Sequence, residues 1–259
     1  MNKKTLRFFS WITLAAFLPF SAAFAAPAGQ ITQTTGYVAV SSPSSAPQTA
    51  GSGQAVESGQ IVTLGEGAHA VIKFQDGQII ALQSKSIFKV NSYKYDQATP
   101  EKGESFFSLV QGGLRAITGL IGANNKAGWK LATPTATIGI RGTDFLTVID
   151  QGVYVKVDVG AVSATNSAGT TVFTAGQTGA IASGTALGTL VPASSIPAGM
   201  FNELSAINLG AVGGAATGAA AAAGSTIMGV PTSVVVGVGI AGAAAAAASS
   251  GGSTATTHH

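Results

Sequence analysis

Residues 132–145 read ATPTATIGIRGTDF, and in a chain with only 9% charged residues the pair Arg141 and Asp144, set around Gly142, stands out. A guanidinium three residues from a carboxylate offers two chemistries. It could serve a ligand site through a charge-assisted fork, or it could clasp bent backbone. Alternation favours the clasp. Ala136, Ile138 and Ile140 share one face of a strand, whereas Phe145 has the opposite parity to Ile140 and yet is the obvious core residue. One extra residue at Gly142–Thr143, a β-bulge, would restore a continuous buried face and bring Arg141 toward Asp144 or nearby carbonyls. Under this reading, replacing Arg141 with Ala lowers thermal stability.

The remaining inventory for catalysis is thin. His69 is the one histidine outside the terminal pair His258 and His259, and no Gly-x-Ser-x-Gly elbow accompanies it, so a Ser-His-Asp triad has no basis. His69 is read as an exposed or half-buried residue at a strand start. Glu57, Glu66, Asp144, Asp150 and Asp158 form no recognisable acid/base pair and read as solvated strand or turn charges. GIRGTDF lacks both the Lys-Ser/Thr ending and the following helix of a phosphate-binding loop. There is no cysteine, which removes disulfides, thiol catalysis and thiolate metal sites. No catalytic, cofactor-binding or metal-ligating residue is therefore assigned, and no cofactor is expected. Lys126 and Lys130 flank Trp129 closely enough to make an aromatic and cationic candidate ligand surface, against which stands a core or interface role for the Trp.

These residues need a scaffold, and the scaffold reads as β. HAVIKFQDGQIIALQ places two apolar runs around Asp76-Gly77, a hairpin signal because such a turn needs positive φ. Further strand candidates are GYVAVS, GQIVTL, SIFKVNSY, ESFFSLV, GWKLATP, ATIGI, DFLTVID, VYVKVDVG, AVSATN and TTVFTAG. Short strands so closely spaced from Gly36 to about Ile181, without alternating helices, predict an all-β sandwich or β-roll with mostly antiparallel neighbours. SFFSLVQGGLRAITGLIG is read as two strands with a turn at Gly112-Gly113, although periodicity alone also allows a broken helix. SSIPAGMFNELSAINL predicts a short helix with Ser194 or Ser195 as N-cap and Pro197 in its first turn.

The two ends of the chain differ from this middle. Lys3, Lys4 and Arg7, an apolar run from Phe8 to Phe20 and Ala23-Phe24-Ala25 form a signal-peptide pattern, with cleavage expected after Ala25. Those three cations account for the net charge of +3, so the mature chain is formally neutral and carries no basic run for nucleic acid. At the other end, Gly210, Gly214 and Gly218 recur at four-residue spacing, and Val230 to Ala248 is uncharged. This tail reads either as membrane-associated or self-associating helices or as a flexible low-complexity segment. His258 and His259 read as a terminal accident or an added remnant rather than a metal site. The expected division is a signal peptide over 1–25, an all-β domain over 26–190, a linker with a short helix over 191–208, and an Ala/Gly-rich tail over 209–259.

Three stretches together resemble the FecR protein domain. They are ESGQIVTLGEGAHAVIKFQDGQIIALQSKSIFKV, the glycine-bearing QGGLRAITGLIG, and LATPTATIGIRGTDF, which follows the family's Thr-Pro, small-residue, Ile-Arg-Gly-Thr, aromatic signature. The signature residues are Thr133, Pro134, Ile140, Arg141, Gly142, Thr143, Asp144 and Phe145, expected to be structural. The resemblance covers about Gly36 to Val159 and implies an exported all-β sensory or binding module. In the family's regulators the domain is followed through a membrane helix to an anti-sigma segment. This chain opens instead on a signal-peptide pattern, so sigma-factor control is not expected to transfer. The expected function is non-enzymatic binding in the periplasm or at the cell surface, engaging envelope protein or glycan and no nucleic acid. The alternative is a structural or anchoring protein whose tail, over 209–248, enters a membrane or forms homo-oligomers.

Overall fold

The computed structural model describes residues 27–209. Its first half is a run of eight strands: β1 (Gly29–Thr35), β2 (Val38–Ser42), β3 (Ser45–Thr49), β4 (Ala55–Val56), β5 (Ile61–Leu64), β6 (His69–Phe74), β7 (Ile79–Leu82) and β8 (Ile87–Lys94). Then come β9 (Glu104–Gln111), β10 (Gly113–Ile117), the short helix α1 (Leu120–Asn124) and β11 (Trp129–Ala132). Two long strands follow, β12 (Thr137–Ile149) and β13 (Val153–Asn166), and then β14 (Gly169–Thr174), β15 (Thr178–Ile181), β16 (Thr189–Leu190) and helix α2 (Asn202–Ala206).

These strands join one curled sheet in the order β3-β2-β5-β8-β9-β11-β12-β10-β7-β6-β1-β4, with β13 on β12 and with β14, β15 and β16 beyond it. Strands β1 and β2 are consecutive in the chain but lie toward opposite ends of that path, so the sheet must curl back on itself. The connection before β4 bridges the gap: Gly53 N–H donates to Ile31 O and Ala50 N–H donates to Val38 O, both at 2.8 Å. One pairing is parallel, β9 with β11, and β10 and α1 supply the crossover that parallel neighbours require.

The curl encloses an aromatic row of Phe74, Phe88, Phe107, Trp129 and Phe145, whose neighbouring ring centroids lie 5.0 to 6.1 Å apart. A second layer covers part of the opposite face. Phe201 and Leu204 pack with Leu146 and Val148, while Leu209 packs with Val71, Ile79 and Ala81. Strand β7 is therefore buried on both faces, which accounts for its unbroken apolar sequence Ile-Ile-Ala-Leu.

The all-β, mostly antiparallel expectation holds. Three local readings change. ATIGI and DFLTVID are halves of one bulged strand, β12, and Leu120-Ile121-Gly122 is helical rather than extended. The helix near residue 200 begins after Phe201 with no side-chain cap, because Ala193–Ser195 form a separate 3-10 turn, so neither Ser194 nor Ser195 is its N-cap. No described helix is long and apolar enough to cross a membrane. The readings of the signal peptide and of the Ala/Gly tail from Gly210 onward, His258 and His259 included, lie outside the described residues.

Candidate interaction face and the signature corner

Thr133 to Ala136 make the tight turn between β11 and β12. Pro134 fixes φ at the second position of the turn. Thr133 donates from both its N–H and its hydroxyl to Ala136 O, at 2.9 and 2.6 Å, and its hydroxyl accepts the Ala136 N–H. Past the turn, β12 changes partners along its length. Leu131 of β11 opposes Ile138, whereas Ala116 of β10 opposes Phe145. The change happens at Gly142–Thr143, where the β12–β13 register shifts between Arg141 and Asp144. Gly142 has φ +60° and Gly160, facing it on β13, has φ +78°. The bulge turns a corner between two parts of the sheet and leaves Ile138, Ile140 and Phe145 all buried.

The polar groups freed by this corner are bound locally. The Thr118 hydroxyl accepts the Thr143 N–H at 2.8 Å, while the Thr118 N–H and hydroxyl both reach Thr143 O. Asp144 is held by a bidentate fork, but the fork belongs to Arg115 of β10: Nε to Oδ1 is 2.8 Å and Nη2 to Oδ2 is 2.6 Å. Asp144 raises the Arg115 pKa above its ordinary value through this fork. The expected Arg141–Asp144 contact does not form. Arg141 precedes the bulge and points outward, exposed, with no ion pair among the described residues.

Asp76 and Gly77 make the turn between β6 and β7, with Gly77 at φ +83°. The carboxylate of Asp76 is folded inward. It accepts from Gln78 N–H and the Tyr93 hydroxyl on Oδ1 and from Ile121 N–H, at the start of α1, on Oδ2. Burial raises its pKa, and these hydrogen bonds pull the other way. Burial and the nearby Asp76 also push the Tyr93 phenol well up. Trp129 joins this knot by donating its indole N–H to Gln78 Oε1. It is 1% exposed, wedged between Phe107 and Phe145, and so takes no part in the ligand surface sketched with Lys126 and Lys130. Both lysines are exposed.

The remaining candidate groups are dispersed. His69 starts β6 and is half-buried, its Nε2 3.8 Å from Glu203 of α2. Glu203 in turn accepts the Ser84 N–H and hydroxyl at 3.1 and 2.9 Å, so it fastens α2 to the sheet beside an open groove of about 400 Å³. Glu66 pairs with Lys85 and Asp158 with Lys156, both at 2.8 Å. Among the described residues no three His, Cys, Asp or Glu side chains gather as metal ligands.

What the strands assemble is an outer face that sequence order scatters. Register pairs Phe106 with Lys130, Ser108 with both Lys89 and Ala132, and Ala132 with Thr137. It continues from Gly139 to Ser163 and Val172, and from Arg141 to Ala161 and Thr174. Phe106 is 39% and Val172 49% exposed, and Lys130 and Arg141 are exposed. Side chains between them are small: Ala132, Thr137, Gly139, Ala161 and Ser163. The signal missed in the sequence was the outward parity of β9 and β12, which puts Phe106 rather than Trp129 beside Lys130.

Residues 60–163 match the family model described as FecR protein, so the chain carries a FecR domain over that range. The match contains the Asp76 knot, Arg115 and the signature corner. It leaves β14 to β16 and α2 outside. Two crystal structures of a protein described as a "putative anti-sigma factor" from Parabacteroides distasonis ATCC 8503 resemble the chain with a TM-score of 0.40 and 13% identity. Each covers 51% of this chain, which in turn spans 57% of theirs. No curated protein matches.

Proposed function

We propose that this chain, carrying a FecR domain over residues 60–163, is a non-enzymatic signal-sensing and interaction module of the bacterial cell envelope. Residues 1–25 direct its export to the periplasm or cell surface, and it engages an envelope protein or glycan through the outer face of β8, β9 and β11 to β14. The observation that carries this reading is the contrast on that face. Lys89, Lys130 and Arg141 have no ion-pair partner among the described residues, beside an exposed Phe106, on a fold whose other polar signature residues are held by Ala136, Thr118 and Arg115. Exposed aromatic and cationic groups on a rigid scaffold are what binding surfaces are made of.

A photo-crosslinking residue placed at Phe106 or at Lys130 tests it in cells. An envelope component captured from both positions, and not from the exposed Tyr37, supports the face. Equal labelling from all three overturns it.

The anchoring alternative needs a separate test, and the strap formed by residues 191–209 fixes its design. Cutting near Leu190 would strip Phe201, Leu204 and Leu209 from the sheet and expose apolar surface. A version ending just after Leu209 isolates the tail. If full-length and shortened proteins fractionate alike, residues 209–248 are no membrane anchor.

A further inference from the structure

We infer that the outer face of β8, β9, β11, β12, β13 and β14 binds an anionic polysaccharide, one carrying carboxylates at intervals along an extended chain. This rests on the reading of that face as the interaction surface and names its partner's chemistry. Among the described residues, positive and negative charges balance in number but not in position. Four cations are consumed in ion pairs: Lys85, Lys94, Arg115 and Lys156. Of those left over, Lys89, Lys130 and Arg141 stand on the same face of neighbouring strands. The carboxylates on these strands are already paired: Glu104 with Lys94 at 3.5 Å, and, beyond the bulge, Asp144 with Arg115 and Asp158 with Lys156. The outward residues of β13 and β14 opposite them are uncharged. The surplus of positive charge therefore has no internal answer.

Shape narrows the class. The row Phe106–Lys130–Gly139–Ser163–Val172 crosses five strands, about 19 Å at the usual strand spacing. Its middle carries low side-chain relief, since Gly139 has no side chain and its neighbours Ala132, Thr137 and Ala161 are small. A strip of small side chains with hydroxyls and one exposed ring suits a sugar chain, whose rings stack on an aromatic face and whose hydroxyls meet Ser and Thr. A peptide strand would need free backbone groups, and here β8, β9, β11, β12 and β13 are paired on both sides, which leaves the outer edge of β14, at the far end of the row from the cations, as the one open ladder of this face among the described residues. The cations are also sparse. Lys89 and Lys130 are two strands apart, about 10 Å or more, a poor match for a nucleic acid with a phosphate every ~3.4 Å along each strand.

The test is calorimetric titration of the full-length protein with polygalacturonate, with neutral dextran and an RNA oligonucleotide as comparisons. Binding to polygalacturonate that weakens with salt is expected. The double variant Lys130→Ala/Arg141→Ala should bind about tenfold more weakly and with a shallower salt dependence. Phe106→Ala should weaken binding while leaving the salt dependence unchanged. In the wild-type protein, saturating polymer should protect Lys130 from acetylation and leave Lys73 reactive, a measurement that needs no variant to fold. Undiminished binding by the double variant, equal affinity for dextran, tighter binding of RNA, or an unprotected Lys130 would each overturn the inference. Capture of an envelope protein from Phe106 and Lys130 without polygalacturonate binding also overturns it, while the interaction-module reading stands.

Discussion

The signature corner and the outer face lie on the same strand and behave oppositely. At the corner, Thr143 and Asp144 are bound by Thr118 and Arg115, and the aromatic that follows is buried. Three residues earlier, Arg141 extends into solvent. The bulge at Gly142–Thr143 divides the two. One short sequence thus supplies both a structural clasp and a free cation, and the half that looks most reactive on paper is the half already satisfied.

The sharpest way to break that comparison is to remove the clasp. Asp144 and Arg115 side chains are 17% and 21% exposed, so deleting one leaves a mostly buried charge unpaired. Asp144→Ala should lower unfolding free energy by about 3 kcal/mol, and Arg115→Ala by a similar amount. In a double-mutant cycle read by chemical denaturation, the two losses should be far from additive. Additive losses would mean that the fork contributes nothing as a pair. Thr118→Val comes next. It keeps the shape but leaves the Thr143 N–H without its hydroxyl acceptor, at a cost of about 1–2 kcal/mol. Equal stability would show that water or relaxation serves the bulge as well as Thr118 does.

The bulge was legible in the sequence and its clasp was not, and both follow from the range of the forces involved. Parity is local: Ile140 and Phe145 must both reach the core, so an extra residue between them is required. The choice of Arg115 over Arg141 depends on β10 pairing with the far half of β12, a register set 29 residues away. In the same way, Asp76-Gly77 announced a hairpin but not that its carboxylate would turn inward onto α1. Lys126 and Lys130 leave Trp129 open to a surface or a core reading, and alternation along β11 decides for the core by burying the Trp and exposing Lys130. The outer face was out of reach altogether. Its charges come from β8, β11 and β12, and the parallel β9–β11 pairing that aligns them has no local sequence signal.

Asp76 offers a gentler probe of the buried side of the comparison. Burial raises its pKa above the unfolded value near 3.9, so the favourable contribution is complete below that value and is lost as pH rises through the folded one. Asp76→Asn cannot ionise. The stability difference between the two proteins should therefore move in favour of Asn between acid and neutral pH. A difference independent of pH would mean that the hydrogen bonds from Gln78, Tyr93 and Ile121 offset the burial fully.

The smallest expected effect bears most directly on the outer face. Read from sequence, Arg141 should hold the bent strand, and Arg141→Ala should lower the melting temperature. In the structure its side chain has no ion pair or hydrogen bond to lose among the described residues, and the bend is held by Thr118 and Arg115 instead. An exposed substitution of this kind should fall within about 0.5 kcal/mol of the wild type. Phe106→Ala belongs with it, since a ring 39% exposed on the outer face leaves no enclosed cavity when removed. If both variants melt with the wild type, the face carries no part of the stability, and its cations and ring are available for a partner. If Arg141→Ala melts early, Arg141 helps to hold the corner after all, and the division drawn at Gly142 fails.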